Sequence, residues 1–165
     1  MTFLMNSSVS VALIIATYNW PQALQQTLRS VARQTILPNE VLIADDGSDE
    51  RTANLIQQFK EQHPALNILH VWHEDNGFRL AAIRNKAISM AQSDYIIQID
   101  GDIILDQYFI ADHLSIKAVG YFVTGSRLLL GKKITAVLLA SEKVNFAALR
   151  WQGKNFFNTL QECIG

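Results

Sequence analysis

The chain has a single cysteine, Cys163, so it can form no disulfide within itself, and such usage points to a reducing cytoplasm. Clustered positive charge is just as scarce. No Lys/Arg run exceeds Lys132-Lys133, and 14 basic residues against 15 acidic ones leave a formal net charge of -1. That balance excludes nucleic-acid binding by charge alone. No segment reaches the apolar length of a membrane span. The apolar stretch near the N-terminus has no basic region ahead of it, and residues 11–16 are too few for a signal-peptide core before Tyr18, Asn19 and Pro21 intervene. No Gly-x-Gly-x-x-Gly and no Gly-x4-Gly-Lys-Ser/Thr occurs, which argues against a Rossmann dehydrogenase and a P-loop nucleotidase. Ser7, Ser8, Ser48 and Ser126 lack a nucleophile-elbow context. Internal repeats, low-complexity tracts and linkers are absent as well.

What is there is an ordinary globular composition. The chain has 165 residues, 49% hydrophobic and 18% charged, enough for one domain with a real core. Residues 10–17 (SVALIIAT) are apolar on both alternating faces, as in a central parallel strand covered on each side. Asn19 and Pro21 then read as a helix start, with Leu24, Leu28 and Val31 at helical spacing. Residues 40–44 (EVLIA) form a second strand expectation, followed by a helix with Leu55, Ile56 and Phe59. Residues 66–72 read as a third strand, 78–91 as a helix and 95–99 as a fourth strand. This alternation predicts an α/β fold, a mostly parallel sheet flanked by helices on both faces. Residues 121–130 read as a further strand and 134–151 as helix-like segments.

The polar loops all follow strands, and the carboxyl edge of an open α/β sheet is where ligands bind. Asp100-Gly101-Asp102 ends the fourth strand. A turn explains Asp and Gly there. Two carboxylates two residues apart also suit a hard divalent cation, Mg²⁺ or Mn²⁺, that completes its shell with phosphates and water. Asp45-Asp46-Gly47-Ser48 ends the second strand, where Ser48 or Asp49 can cap the next helix and a carboxylate can accept from a base or ribose. A third cluster runs from His73 through Asp75, Gly77 and Arg79 to Arg84 and Asn85. Arg84 suits either a structural ion pair or a diphosphate. His70 and His73, three apart near a strand, face opposite ways and are set aside as a zinc pair. His63 and His113 read as isolated surface or packing residues.

Taken in order and spacing, VALIIATYNW, EVLIADDGSDE, HEDNGFRLAAIRNKAI and YIIQIDGDIIL resemble the family 2 glycosyltransferases of GT-A fold, bacterial surface-glycan enzymes above all, over residues 10–130. The resemblance implies a nucleotide-sugar site at Thr17, Tyr18, Asn19, Asp45, Asp46, Asp75, Arg84 and Asp100. It implies a Mn²⁺ or Mg²⁺ held by Asp102 and Asp100, with Asp102 the direct ligand. The implied reaction moves a sugar, with inversion, from a nucleoside diphosphate, UDP above all, to a glycan or lipid-linked acceptor in lipopolysaccharide or capsule synthesis. The alternative is a nucleotide-sugar-binding module without turnover. A sugar-1-phosphate nucleotidyltransferase ranks below both, because ATYNWPQ is not the Gly-rich basic loop it needs.

The resemblance also implies a catalytic base in an acidic motif well downstream. Only Glu142 and Glu162 follow among glutamates there, in helix-like contexts. The expectation is therefore one donor-binding domain over residues 1–165, cut short of its acceptor and base region, with Glu142 as a weak candidate base and the true base after Gly165. A cytoplasmic chain, with contact at the inner membrane face, accompanies it. Ile134, Val137, Leu138, Phe146, Leu149 and Trp151 would expose apolar surface and favour self-association.

Overall fold

The computed structural model describes residues 9–140. They divide between Ala118 and Val119 into two compact units. In the first, elements alternate as β1 (Val11–Thr17), α1 (Pro21–Val31), β2 (Glu40–Asp45), α2 (Glu50–Gln62), β3 (Ile68–Trp72), α3 (Leu80–Met90) and β4 (Tyr95–Asp100), and α4 (Phe109–Ile116) follows.

Among the described residues the strands form one sheet in the order β3-β2-β1-β4, with every pair parallel. β1 and β2 are buried along both faces, which is why their sequences are continuous apolar runs rather than alternating ones. Alternate residues serve two cores. Leu13, Ile15 and Ile43 meet Leu24, Leu28 of α1 and Phe59 of α2 on one face. Ala12, Ile14, Leu42 and Val71 meet Ile83 and Ala87 of α3 on the other. Truncating Ile43, fully buried, to alanine would cost about 2–5 kcal/mol.

The order of strands places the site. The chain steps outward from β1 through β2 to β3, then returns past β1 to β4, so its direction across the sheet reverses between β1 and β4. A crevice opens at the carboxyl ends of strands at such a reversal. In register there, Ala16 lies opposite Asp100 and Thr17 opposite Asp45.

Two local expectations change and one helix is unanticipated. Asn19 does not cap α1. Trp20 occupies the cap position with no side-chain cap bond, and Asn19 adopts a left-handed φ of 46° that suits asparagine better than most residues. Asp49 does cap α2, accepting from the Arg51 amide. Periodicity does not anticipate α4, an eight-residue helix with one fully buried side chain, Ile110. In the second unit, residues 121–131 form no strand. Among its described residues that unit holds no strand to pair with them, and an isolated strand leaves its backbone groups unpaired. α5 (Lys132–Ala140) follows them; it buries Leu138 and exposes Val137. Phe146, Leu149, Trp151, Glu142 and Glu162 lie outside the described residues.

Candidate functional site

The end of β2 carries two buried carboxylates, Asp45 at 1% and Asp46 at 3% exposure. A buried carboxylate must be paired or hydrogen-bonded, and each oxygen of both has a partner. Asp45 accepts from the Ser48 amide at 2.8 Å and meets His70 Nε2 at 2.8 Å. Asp46 meets His73 Nε2 at 2.7 Å and accepts from the Arg79 amide at 3.0 Å. The two histidines set aside from the sequence thus hold the two strand-end carboxylates. Only the β2–β3 register reveals this for His70, which lies opposite Ile43, two residues before Asp45 on the same strand face.

The loop after β1 joins the other two loops. The Asn19 amide donates to Ser48 Oγ at 2.8 Å, and Asn19 Oδ1 accepts from the Asp49 amide at 2.9 Å. The Asp46 amide donates to the buried Thr17's carbonyl at 3.0 Å. The Tyr18 hydroxyl donates to Asp75 Oδ2 at 2.9 Å. That bond to a carboxylate holds the Tyr18 proton above the ordinary tyrosine range. Gly47, with φ 96°, accepts the backbone of Asp75 so closely that a Cβ would stand 2.6 Å from its Cα. That glycine therefore serves loop-to-loop packing as well as the turn.

At the end of β4 the glycine serves packing within the chain. A Cβ on Gly101 would stand 2.9 Å from the Ala16 carbonyl and 3.2 Å from Thr17 Oγ1, so its first consequence is the close approach of β1. The carboxylates either side of it are unequal. Asp100 takes the Arg84 guanidinium at 2.5 Å, with the Asp100 side chain 46% exposed. Arg84 Nε is buried without a hydrogen-bond partner. Asp102 is exposed and has no hydrogen bond or ion pair among the described residues.

The sequence profile described as Glycosyl transferase family 2 matches residues 12–156, most of the chain. The chain belongs to that family. Over 111 residues it is 32% identical to a chondroitin synthase of Pasteurella multocida (strain Pm70), covering 67% of this chain and 11% of that enzyme. Among solved structures it resembles a mannosyltransferase, PcManGT from Pyrobaculum calidifontis, in complex with GDP-Man and Mn²⁺. There the TM-score is 0.59 at 24% identity, over 66% of this chain and 32% of that one. It also resembles residues 1–349 of Staphylococcus aureus TarS in complex with UDP-GlcNAc, with TM-score 0.58 at 22% identity, over 71% of this chain and 37% of that one. These likenesses establish the GT-A fold. The chain spans about a tenth of that synthase and about a third of the two solved chains.

For this family 2 chain the donor set at β4 fits a hard divalent cation. Among the described residues no cluster of three or more His, Cys, Asp or Glu could enclose a metal. One open carboxylate, Asp102, and one shared with Arg84, Asp100, leave most of the coordination sphere to phosphate oxygens and water, as Mg²⁺ and Mn²⁺ favour. Thr17, Tyr18, Asn19, Asp45, Asp46, Asp75, Arg84, Asp100 and Asp102 all lie on or beside the carboxyl edge of the sheet, except that Arg84 reaches it from α3.

Proposed function

We propose that this chain binds a nucleoside-diphosphate sugar, UDP-linked in the first instance, across the carboxyl ends of β1, β2 and β4. The sugar then passes, with inversion, to a glycan or lipid-linked acceptor in bacterial surface-polysaccharide synthesis. The observation that carries this is the open Asp102 carboxylate at the β1–β4 reversal, facing solvent beside a set of loops locked to one another. The complexes of the two solved relatives with GDP-Man and UDP-GlcNAc, and the likeness to a chondroitin synthase, support the same reading.

Asp102 would hold a divalent cation with help from Asp100. When bound, that cation offsets the charge of the departing diphosphate. Arg84 keeps Asp100 in place and brings positive charge to the same end of the sheet. Tyr18, Asn19 and Asp75 form the rim against which the nucleoside rests, and Asp45 and Asp46 shape its floor. An acceptor hydroxyl needs a base as it attacks the anomeric carbon, and the reading places that base after Asp102 in the chain.

Calorimetric titration with a panel of nucleotide sugars, with and without Mn²⁺, tests the binding half. Acceptor-dependent release of nucleoside diphosphate tests the transfer half. Binding without such release would leave a nucleotide-sugar module, and no binding of any nucleotide sugar would overturn the reading.

A further inference from the structure

Helix α1 buries polar side chains on the face it turns to the core. Thr27 is 0% exposed and Ser30 is 1%, beside Leu24, Leu28 and Val31, and Gln34 in the turn that follows is 7%. Thr27 and Ser30, three apart, share one stripe of the helix, and Gln34 follows just past its end. A buried hydroxyl or amide needs a partner, and all three find theirs more than 70 residues away, in the irregular segment after β4 and, for one end of Gln34, in the first turn of α4. The Thr27 hydroxyl donates to the Gly101 carbonyl at 2.9 Å; the Ala23 carbonyl, at 3.3 Å, is the more distant choice for its single proton. Ser30 Oγ accepts from the Leu105 amide at 3.0 Å while donating to the Thr27 carbonyl. Gln34 uses both ends of its amide, donating to the Asp106 carbonyl at 2.6 Å and accepting from the Ile110 amide at 3.0 Å.

Residues 101–108 have no helix or strand of their own, yet Gly101 and Leu105 are buried. Buried irregular backbone carries polar groups that a ladder cannot satisfy, and the α1 stripe satisfies them. Gly101 is held from both sides, because its amide also donates to the Ala16 carbonyl at 2.7 Å. The next residue is Asp102, exposed and otherwise untethered.

We infer that Thr27, Ser30 and Gln34 are positioning residues: they fix the segment after β4 to α1 and, through Gly101, set the direction of the Asp102 carboxylate. Hydrogen bonds within one helical turn explain part of what Thr27 and Ser30 do. Gln34 too has a local bond, from Nε2 to the Ser30 carbonyl at 3.2 Å, but that bond does not explain the shorter ones its two amide ends make to backbone groups of Asp106 and Ile110. The inference rests on the metal role proposed for Asp102.

The test compares Thr27→Val, which keeps the shape and removes the donor, with Thr27→Ser, which restores it, and adds Ser30→Ala and Gln34→Leu. For each chain the affinity for UDP is measured with and without Mn²⁺, and amide exchange is followed at Leu105 and Ile110. Thr27→Val is expected to lose about tenfold or more of the Mn²⁺-dependent gain, as residues behind a metal ligand commonly do, and Thr27→Ser to recover it. Exchange at Leu105 should accelerate in Ser30→Ala, and at Ile110 in Gln34→Leu. Should Thr27→Val fail to fold, Ser30→Ala carries the same comparison. Folded variants with the wild-type Mn²⁺ gain and unchanged exchange overturn the inference. A wild-type chain that binds UDP without any Mn²⁺ gain overturns the metal reading beneath it, and exchange then decides the anchoring alone.

Discussion

The Arg84 guanidinium stands 2.5 Å from the Asp100 carboxylate, tying α3 to the end of β4. The sequence leaves two roles open for this arginine, ion pair or diphosphate ligand, and the geometry allows one to lead to the other. With both partners partly exposed, 32% and 46%, the pair itself is worth no more than about 1 kcal/mol. Arg84→Ala should therefore lower the stability only slightly. It should weaken nucleoside-diphosphate binding by about tenfold, on the scale of one charge-assisted hydrogen bond. A double-mutant cycle with Asp100→Asn separates the roles: a residual loss from Arg84→Ala in the Asp100→Asn background marks direct contact with phosphate, and none marks a clamp.

Gly47 offers a sharper stability prediction. Its φ of 96° is strained for any side chain, and a methyl there would enter the backbone of Asp75. The left-handed conformation alone costs roughly 1–2 kcal/mol, so Gly47→Ala should lose at least about 2 kcal/mol once the loop shifts. Urea unfolding measures it; a loss below about 0.5 kcal/mol, the range of an ordinary surface change, would mean the two loops are not packed as described.

Acid sensitivity should come in part from the amino end of the sheet. Burial opposes ionisation of Glu40, but the Ser93 hydroxyl and the Gln92 and Ser93 amides outweigh it and hold its carboxyl below the ordinary value of 4.5. A carboxylate lowered on folding stabilises the chain above its unfolded pKa and loses that contribution as pH falls through its folded one. Unfolding midpoints should thus fall below about pH 4.5, and Glu40→Gln should flatten that limb. An identical limb in the variant would assign the acid response elsewhere.

The bond from Tyr18 to Asp75 has an optical signature. Because the Asp75 carboxylate holds its proton, the Tyr18 phenol should ionise above the ordinary tyrosine value of 10.0. The sign is opposite to that of Glu40: this contribution is complete below the unfolded pKa and is lost as pH rises through the folded one. Difference absorbance of wild type against Tyr18→Phe isolates the group, and Asp75→Asn should bring its midpoint down. A midpoint that Asp75→Asn leaves in place would show that the two side chains do not meet.

Much of the fold was legible because it rests on local signals. The doubly buried runs of β1 and β2 and the apolar stripes of α1 and α2 are written in consecutive residues. α3 begins at Leu80 rather than at residue 78, since Gly77 at φ 78° and the Arg79 amide's bond to Asp46 belong to the loop. The site was legible as a set of loops but not as a set of contacts. His70, His73, Thr27, Ser30 and Gln34 take their meaning from partners 25 to 76 residues away. Those partners become neighbours only after the strand order is known. Gly47 keeps the turn expected of it, yet the close approaches that Gly47 and Gly101 permit, of Asp75 and of β1, are equally invisible in local sequence.

The central claim is that Asp102 holds the cation that secures the diphosphate. Calorimetric titration of UDP into the wild-type chain and into Asp102→Asn, each with and without Mn²⁺, tests it most directly. The account predicts that Mn²⁺ strengthens wild-type binding by about tenfold or more, a gain of about 1.4 kcal/mol, and leaves Asp102→Asn unaffected. An equal Mn²⁺ gain in both chains would contradict it.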